Sequence, residues 1–253
     1  MNNNIYSLLF LFITLISCEN EEVISFSSES ITETSLESCG SDPCPEITIN
    51  YVKVASESSA VKNINTKIEG FIVESLYLGD DTSEIAAATI TDAMQHFVAM
   101  NRADSAEFTE IQSAYFAEVS VDELYVSNEL ICFQLRNYIF AGGAHGFGSV
   151  SFLNIDPATG NELPSEKIIT DKEAFNKLVE QRFRKEFDIP SEAPINSTGF
   201  WFENDTFHLP KTIGFTNDTV ILRYNQYEIA SYAAGPIEIE IPLQQLAPFL
   251  TIN

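Results

Sequence analysis

Residues 141–148, AGGAHGFG, are the stretch of the chain whose residue types are best suited to chemistry. They contain four glycines together with His145, one of three histidines in a chain of 253 residues. Glycine-rich loops bind phosphate groups when they lead into a helix N-terminus, and histidine serves as a general base or a metal ligand. The candidate ligand-binding residues are therefore Gly142, Gly143, His145 and Gly146.

The sequence leaves three interpretations of this loop open: a structural turn, a ligand contact or a catalytic site. The loop leads into a predicted strand, which argues against a phosphate-binding loop. A hydrolase or metal-dependent site around His145, with His208 and nearby carboxylates, is the catalytic alternative, but nothing in the chain resembles GxSxG or HExxH. Positive φ angles and a close approach of another backbone explain the glycines, so a structural turn is preferred.

The N-terminal sequence MNNNIYSLLFLFITLISC predicts export and lipid anchoring. Ile5 to Ile16 form an apolar run that is too short to span a bilayer but long enough for the core of a signal peptide. The stretch LISC that follows resembles the bacterial lipobox, so residues 1–17 are the predicted signal peptide and Cys18 the lipidated residue. The start of the chain lacks Lys and Arg, which leaves an uncleaved signal anchor as the alternative.

The other three cysteines have different predicted roles. Cys39 and Cys44 are separated by Gly-Ser-Asp-Pro, residues that favour a turn, and an exported chain favours oxidation, so a local disulfide is predicted. A metal site is the alternative, although this pair has no nearby partner ligands in the sequence. Cys132 lies in the apolar stretch ELICFQLRNYIF and is interpreted as a small buried hydrophobic residue. No metal or other cofactor is predicted.

Acidic residues outnumber basic ones by 37 to 13, which gives a formal charge of -24. Nucleic acid is therefore excluded as a partner, because phosphate binding needs clustered positive charge, whereas a cationic partner would be attracted. Residues 18–46 lack Lys and Arg and contain few bulky apolar side chains. We predict that they form a flexible acidic tether and that residues 47–253 form the folded domain.

The elements that position the candidate loop follow from the hydrophobic periodicity. Apolar residues recur at helical spacing over 58–77, and a second helix is predicted from Thr82 or Ser83 through about Arg102. His96, on this second helix, is interpreted as a structural histidine. A third helix is predicted after Asp171 as its N-cap.

The remaining segments predict strands and one short helix. Alternating and β-branched patterns predict two or three strands over 114–140, with breaks near 122 and 128. A turn follows at Asp156-Pro157-Ala158-Thr159-Gly160, where glycine supplies a positive φ. Further strands are predicted at 148–155, at Phe200-Trp201-Phe202, on both sides of a turn at Asn217-Asp218, and at 237–241, before a short helix that opens at Pro242.

Two stretches carry a family resemblance: NYIFAGGAHGFGSVSFLNIDPATGNEL and FTNDTVILRYNQYEIASYAAGPIEIEIPLQQLAPFL. Their GGAHG turn, D-x-x-T-G turn, YEIA and AAGP elements and terminal IP helix resemble, in family order, a known extracytoplasmic domain. This domain is shared by the lysozyme-responsive anti-sigma factor of the sigma-V system and the N-terminal part of peptidoglycan deacetylase C. The resemblance implies an α+β domain without catalytic machinery of its own. It also implies binding, because the domain of the anti-sigma relative binds lysozyme.

These observations lead to one reading of the chain. The expected fold is α+β, with antiparallel β-sheets packed with a few amphipathic helices in a single compact region or two intimately packed lobes. The expected function is a non-enzymatic, lipid-anchored binding protein of a bacterial envelope, with its folded domain in the periplasm or at the cell surface. The expected partner is a cationic protein such as lysozyme or a cell-wall component.

Overall fold

A five-stranded sheet lies at the centre of the fold. The computed structural model describes residues 24–40, 44–56, 58–79, 85, 87–108 and 114–252. Within the sheet, the second and third strands run parallel, and all other neighbouring strands run antiparallel. The strands follow one another in sequence order: β1 (Ser25–Thr32), β2 (Glu46–Ala55), β3 (Phe116–Val126), β4 (Ile131–Phe140) and β5 (Phe147–Ile155).

The two longest helices make the crossover that a parallel strand pair requires. Helices α1 (Ser59–Ser75) and α2 (Ile90–Glu107) lie between β2 and β3 in the chain. Helix α1 begins where the hydroxyl of Ser58 accepts a hydrogen bond from the backbone N–H of Val61 at 3.3 Å. The helix predicted at 58–77 is thus confirmed, and its apolar face packs into the core against α2 and the sheet.

Helix α2 begins later than the sequence pattern predicted. Its N-cap is Thr89, whose hydroxyl accepts from the backbone N–H of Asp92, while the Asp92 carboxylate accepts from the Thr89 N–H. This reciprocal capping box satisfies two helix-terminal donors at once. The start proposed at Thr82 or Ser83 is therefore wrong.

Residues 25–40 of the predicted tether are folded. Residues of β1 pair with β2 over all eight positions, from Ser25 opposite Ala55 to Thr32 opposite Thr48, and Leu36 is buried. The prediction of a flexible tether over 18–46 is therefore wrong for residues 25–40. The polar composition of this segment suggested a flexible chain. Main-chain hydrogen bonds to the edge of the sheet nevertheless hold β1 in place, although it has few apolar side chains.

The second half of the chain adds a smaller lobe. Asp171 is the N-cap of helix α4 (Lys172–Glu186), as predicted, and its Oδ1 accepts a hydrogen bond from the Ala174 N–H at 3.0 Å. The antiparallel pair on either side of Asn217-Asp218 is confirmed as well. The elements of this lobe are α3 (Ser165–Ile168), α4 (Lys172–Glu186), β6 (Ile213–Phe215), β7 (Thr219–Tyr224), β8 (Ile237–Pro242) and α5 (Leu243–Leu246).

The aromatic run Phe200-Trp201-Phe202 does not form the strand that was predicted. Its backbone is instead held by a side chain: Asn196 accepts from the Phe202 N–H at 2.7 Å and donates to the Phe202 carbonyl at 2.9 Å. Phe200 and Phe202 pack their rings against Phe183 of α4. Phe200 and Phe202 therefore reach the core from a loop, whereas Trp201 between them is exposed.

Two hydrophobic cores lie on opposite faces of the five-stranded sheet. Successive side chains of β4 point to opposite faces of the sheet and so contribute to both cores. Ile131 and Phe133 pack in the core that contains α1 and α2, while Cys132 packs in the core that contains α4 and the three-stranded sheet β6–β7–β8. Strand β5 divides its side chains in the same way. The predicted α+β class is confirmed, in the form of two lobes that share β4 and β5.

The region 114–140 contains two strands rather than three. The break expected near 128 separates β3 from β4, but the one expected near 122 is only a register shift between Glu123 and Tyr125 within β3.

No helix within the described residues has the length and apolar character that crossing a bilayer requires.

Candidate functional site

The GGAHG loop connects β4 to β5 in an antiparallel hairpin. Gly142 and Gly143 have φ angles of +89° and +86°, and no atom lies within 4 Å of a Cβ added at either. These two glycines are therefore required by backbone conformation alone. A Cβ at Gly146 would lie 2.6 Å from the ring of Tyr138. The close approach expected at the loop therefore exists at Gly146, where a ring rather than a backbone is the neighbour.

His145 is exposed and lies flat against another aromatic ring. Its ring stacks on Tyr232 with centroids 4.2 Å apart and an interplanar angle of 22°. Its Nδ1 lies 3.0 Å from the carbonyl oxygen of Gly146, and the Tyr232 hydroxyl donates to the same carbonyl at 3.2 Å. The loop is thus fastened to a segment 86 residues further along the chain.

An exposed group of rings surrounds this contact. We call Tyr138, His145, Tyr227 and Tyr232 the aromatic patch. Tyr227 lies 5.5 Å from Tyr232 between ring centroids and is 54% exposed, while Tyr138 is 42% exposed. Exposed tyrosines offer large apolar faces at a small cost in side-chain entropy, and such rings are enriched at recognition surfaces.

Tyr227 also has an unusual backbone. Its φ of +68° lies in the left-handed region, which a bulky side chain adopts only at a cost of about 1–3 kcal/mol. The turn that holds it is fixed by the Glu228 carboxylate, which accepts from the Asn225 N–H at 2.9 Å. Strain that is maintained by the surroundings is typical of functional positions, so Tyr227 is the strongest single candidate in the patch.

A polar cleft of about 310 Å³ borders the aromatic patch through Tyr138. Arg136 and Tyr138 come from β4, and Arg223 comes from β7, so the cleft lies between the two lobes. The remaining lining is polar or small: Asn137, Gly148, Ser149, Val150, Asn225, Gln226 and Pro236.

A second pocket, of about 220 Å³, lies beside Gly142 and Gly143 and includes Asp104 and Tyr115. The Tyr115 hydroxyl donates a hydrogen bond to the Asp104 carboxylate. Burial, followed by this hydrogen bond, raises the pKa of Tyr115 to about 12. The hydroxyl therefore stays protonated at neutral pH, and it is already engaged as a hydrogen-bond donor to Asp104.

The other two histidines have separate surroundings. His208 lies between the rings of Phe202 and Tyr224, and its Nδ1 is 2.9 Å from the Leu209 carbonyl oxygen. His96 is exposed on α2. His145 shares none of these contacts. Within the described residues no three His, Cys, Asp or Glu side chains form a group that could hold a metal ion.

The cysteines follow the sequence interpretation where they are described. Cys39 and Cys44 form a disulfide, as predicted. Cys132 is fully buried, and its Sγ accepts a hydrogen bond from the Phe215 N–H at 3.3 Å. Burial raises the pKa of the Cys132 thiol to about 12, so the thiolate needed for nucleophilic chemistry is disfavoured. Cys18 lies outside the described residues.

Substitutions in the loop should separate its structural part from its exposed histidine. Gly143→Val is expected to lower the free energy of unfolding by about 1–3 kcal/mol, because valine resists positive φ. Gly146→Val should cost less than Gly143→Val, because φ at Gly146 is not positive and the 42% exposed Tyr138 ring that it meets can rotate away. His145→Ala should cost less than about 1 kcal/mol, since the ring is exposed. Urea unfolding monitored by circular dichroism would measure all three, and a larger loss for His145→Ala than for Gly143→Val would contradict this assignment.

Five residues of this region were not predicted from the sequence: Arg136, Tyr138, Arg223, Tyr227 and Tyr232. Tyr227 belongs to the YEIA element, and Tyr232 directly precedes the AAGP element. Both tyrosines therefore lie in the stretch that carries the family resemblance, but that resemblance assigned no function to them. The two arginines could have been singled out because basic residues are rare in this chain, which has 13 among 253 residues. Their proximity depends on tertiary packing that no local pattern contains.

The comparisons with known proteins agree with the two-lobed architecture. A search of curated proteins gives no significant match. A DUF3298-family protein from Bacteroides fragilis NCTC 9343 has a similar solved structure, with a TM-score of 0.68 and 22% identity over 91% of this chain and 95% of that one. A DUF3298-family protein from Pseudomonas aeruginosa PAO1 has a TM-score of 0.57 and 17% identity, covering 90% of this chain and 94% of that one.

Two family sequence models match successive parts of the chain. Residues 38–148 match the family described as deacetylase PdaC, and residues 165–244 match DUF3298, described as a protein of unknown function. The disulfide and the PdaC match indicate an extracytoplasmic domain. The aromatic patch combines Tyr138 and His145 from the first part with Tyr227 and Tyr232 from the second. Successive parts of the chain thus match the PdaC and DUF3298 family models, and the PdaC match, which includes the GGAHG turn, confirms the resemblance to peptidoglycan deacetylase C.

Proposed function

We propose that this protein is a non-catalytic binding protein of a bacterial envelope and that the aromatic patch binds a glycan of the cell wall. The observation that carries the proposal is a cluster of aromatic rings, of which Tyr138, His145 and Tyr227 are exposed, that continues into a cleft lined by polar side chains. Sugar rings present C–H faces that pack on the negative faces of aromatic rings. Arginine and amide side chains beside them would hydrogen-bond the hydroxyl and acetamido groups.

The contacts of the histidines favour binding over catalysis. The Nδ1 atoms of His145 and His208 lie against the carbonyl oxygens of Gly146 and Leu209. A nucleophilic site needs a histidine that contacts a Ser or Cys and is oriented by an acidic group. The described contacts of His145, a tyrosine ring and a backbone carbonyl, fit a stacking surface better.

A cationic protein such as lysozyme is the second candidate partner. The formal charge of -24 favours its approach, and the sequence resembles a domain that binds lysozyme. Exposed tyrosine faces also accept Lys or Arg side chains through cation–π contacts worth about 0.5–1 kcal/mol each. The two candidates differ in the expected effect of salt, because charge-driven binding weakens as the Debye length falls.

Binding measurements on the purified full chain test this proposal. We would titrate it with solubilised peptidoglycan fragments, with a C-type lysozyme and with an unrelated protein of similar positive charge, at low and at about 0.15 M ionic strength. Salt-resistant binding of the fragments supports the glycan proposal. Salt-resistant binding of lysozyme alone favours the second candidate. Equal binding of both basic proteins that salt removes, without fragment binding, would rule out both.

We also propose that Cys18 carries the lipid that holds the protein at the membrane. The support is the short apolar run that ends in LISC, since acyl chains on a cysteine anchor a folded domain to a bilayer. Cys18→Ser is expected to move most of the protein from the membrane fraction to the soluble fraction while leaving its circular dichroism spectrum unchanged. Unchanged membrane fractionation of Cys18→Ser, with no acyl group detected on the wild-type chain, would refute the anchor.

A further inference from the structure

The cleft beside the aromatic patch concentrates positive charge in a strongly acidic chain. Two of the 13 basic residues, Arg136 and Arg223, line it, against 37 acidic residues overall. No Asp or Glu is among its lining residues in the described part of the chain. The acidic positions Glu118 and Asp122, on the neighbouring strand β3, are not part of the lining. The cleft is therefore a local exception to the charge of the molecule.

Arg136 has a charge that no ion pair of the described residues neutralises. It is exposed on β4, and its Nη2 donates to the neutral Oε1 of Gln134 at 2.9 Å. This contact orients the guanidinium without cancelling its charge. An anionic group entering the cleft would meet a positioned donor that keeps its full charge.

Arg223 is held more firmly. Its Nη1 donates to Glu238 Oε2 at 2.9 Å across the β7–β8 pair, and its side chain is 24% exposed. Its Nε is buried and has no hydrogen-bond partner among the described residues. A buried donor without a partner costs about 1–3 kcal/mol. Because Nε is buried, a ligand in the cleft can meet only the other nitrogens of this guanidinium group.

The walls of the cleft are rigid. Asn225 binds both backbone groups of Val150, accepting from its N–H at 2.9 Å and donating to its carbonyl at 2.9 Å. Asn137 accepts from the N–H and the hydroxyl of Ser149 at 3.0 and 2.7 Å. The Asn225 bonds join the smaller lobe to β5, and the Asn137 bonds join β4, which carries Arg136, to β5. The site is thus largely preformed, which lowers the entropic cost of binding.

We propose that this cleft binds the carboxylate of an acidic sugar, with Arg136 and Arg223 as donors and Tyr138 stacking on the sugar ring. The proposal rests on the glycan-binding function above and names the class of glycan. The volume of about 310 Å³ lies at the lower end of small-molecule sites. Tyr138 joins the cleft to the aromatic patch, so a longer glycan would extend from the cleft along Tyr232 and Tyr227. This continuity favours a sugar over a free peptide carboxylate.

A pair of ligands that differ only in the carboxylate tests the proposal. We would titrate the full chain calorimetrically with the disaccharide of N-acetylglucosamine and N-acetylmuramic acid and with the same disaccharide after reduction of its carboxylate to an alcohol. The acidic form should bind about tenfold more tightly, the factor expected for one charge-assisted hydrogen bond. N-acetyl-D-alanyl-D-alanine provides a carboxylate without a sugar.

Charge-removing variants locate the binding site. Arg136→Gln should reduce the preference for the acidic disaccharide to less than about twofold, and Arg136→Lys should retain part of it. Arg182→Gln is the matched control, because it removes one charge from an exposed pair on α4 and should leave the preference unchanged. Arg223→Gln is made together with Glu238→Gln so that no carboxylate loses its partner.

Four other outcomes would each overturn the proposed site or its ligand. Equal affinity for the acidic and reduced disaccharides overturns the carboxylate site but leaves the glycan-binding function standing. Binding of neither disaccharide overturns both proposals. Tighter binding of the dipeptide than of the acidic disaccharide overturns the sugar as the ligand. An acidic preference that survives Arg136→Gln and the double variant places the carboxylate elsewhere and overturns the site.

Discussion

Replacing Gly160 with alanine is expected to lower the free energy of unfolding by about 2–5 kcal/mol. Gly160 ends the D-x-x-T-G turn with a φ of +68°, a conformation that costs an L-residue about 1–2 kcal/mol. A Cβ at this position would also overlap the backbone carbonyl oxygen of Ala60 in the first turn of α1. A helix backbone cannot rotate away as a side chain can, so the turn and the helix would have to separate.

Gly199 provides a matched control for this prediction. Its φ is +101°, but no atom lies within 4 Å of an added Cβ. Gly199→Ala should therefore show only the conformational cost, about 1–2 kcal/mol. The difference between the two variants in urea unfolding measures the steric contact with α1. Equal losses would show that the contact relaxes without cost and would contradict the argument.

Gly160 also illustrates how far local sequence could predict this fold. The turn residues Asp156 to Gly160 indicated a positive φ at the glycine, and the structure has it. The same local logic correctly placed Asp171 at a helix start, because capping depends on residues only three positions apart. The approach of Ala60 to Gly160 joins residues 100 positions apart. No local pattern contains that contact.

The errors share one physical cause. Strand β1 was predicted to be a tether because its side chains are polar, yet it is stabilised by backbone hydrogen bonds to β2. Phe200-Trp201-Phe202 was predicted to be a strand because its side chains are aromatic, yet Asn196 and Phe183 hold it as a loop. In both cases tertiary partners overrode the propensity of the segment.

The candidate site was predicted in part. The GGAHG loop and His145 were singled out, and they do lie at the centre of an exposed aromatic surface. The strained Tyr227 was not, because a positive φ at tyrosine cannot be read from side-chain type. Tyr232 meets the loop across 86 residues. The site therefore depends on both family segments, and the loop alone would not form it.

Replacing Tyr227 with asparagine is expected to weaken binding of cell-wall fragments about tenfold or more while leaving the fold at least as stable as the wild type. Removing one stacked ring from a binding surface costs about 1–3 kcal/mol where such contacts have been measured on nucleic-acid bases. Asparagine tolerates the left-handed region much better than tyrosine. The ring is 54% exposed, so its removal sacrifices little burial.

The opposite directions of these two effects make Tyr227→Asn diagnostic. A residue kept for packing loses stability when it is removed, whereas a residue held under strain for recognition loses binding while the fold keeps or gains stability. Val126→Gln is the control, because it removes an apolar side chain of similar exposure, 42%, from the end of β3 that pairs with Ile131, at the opposite end of β4 from the GGAHG loop. It should leave fragment binding unchanged. A Tyr227→Asn protein that melts at a lower temperature and binds fragments normally would make Tyr227 a structural residue and remove the patch as the binding surface.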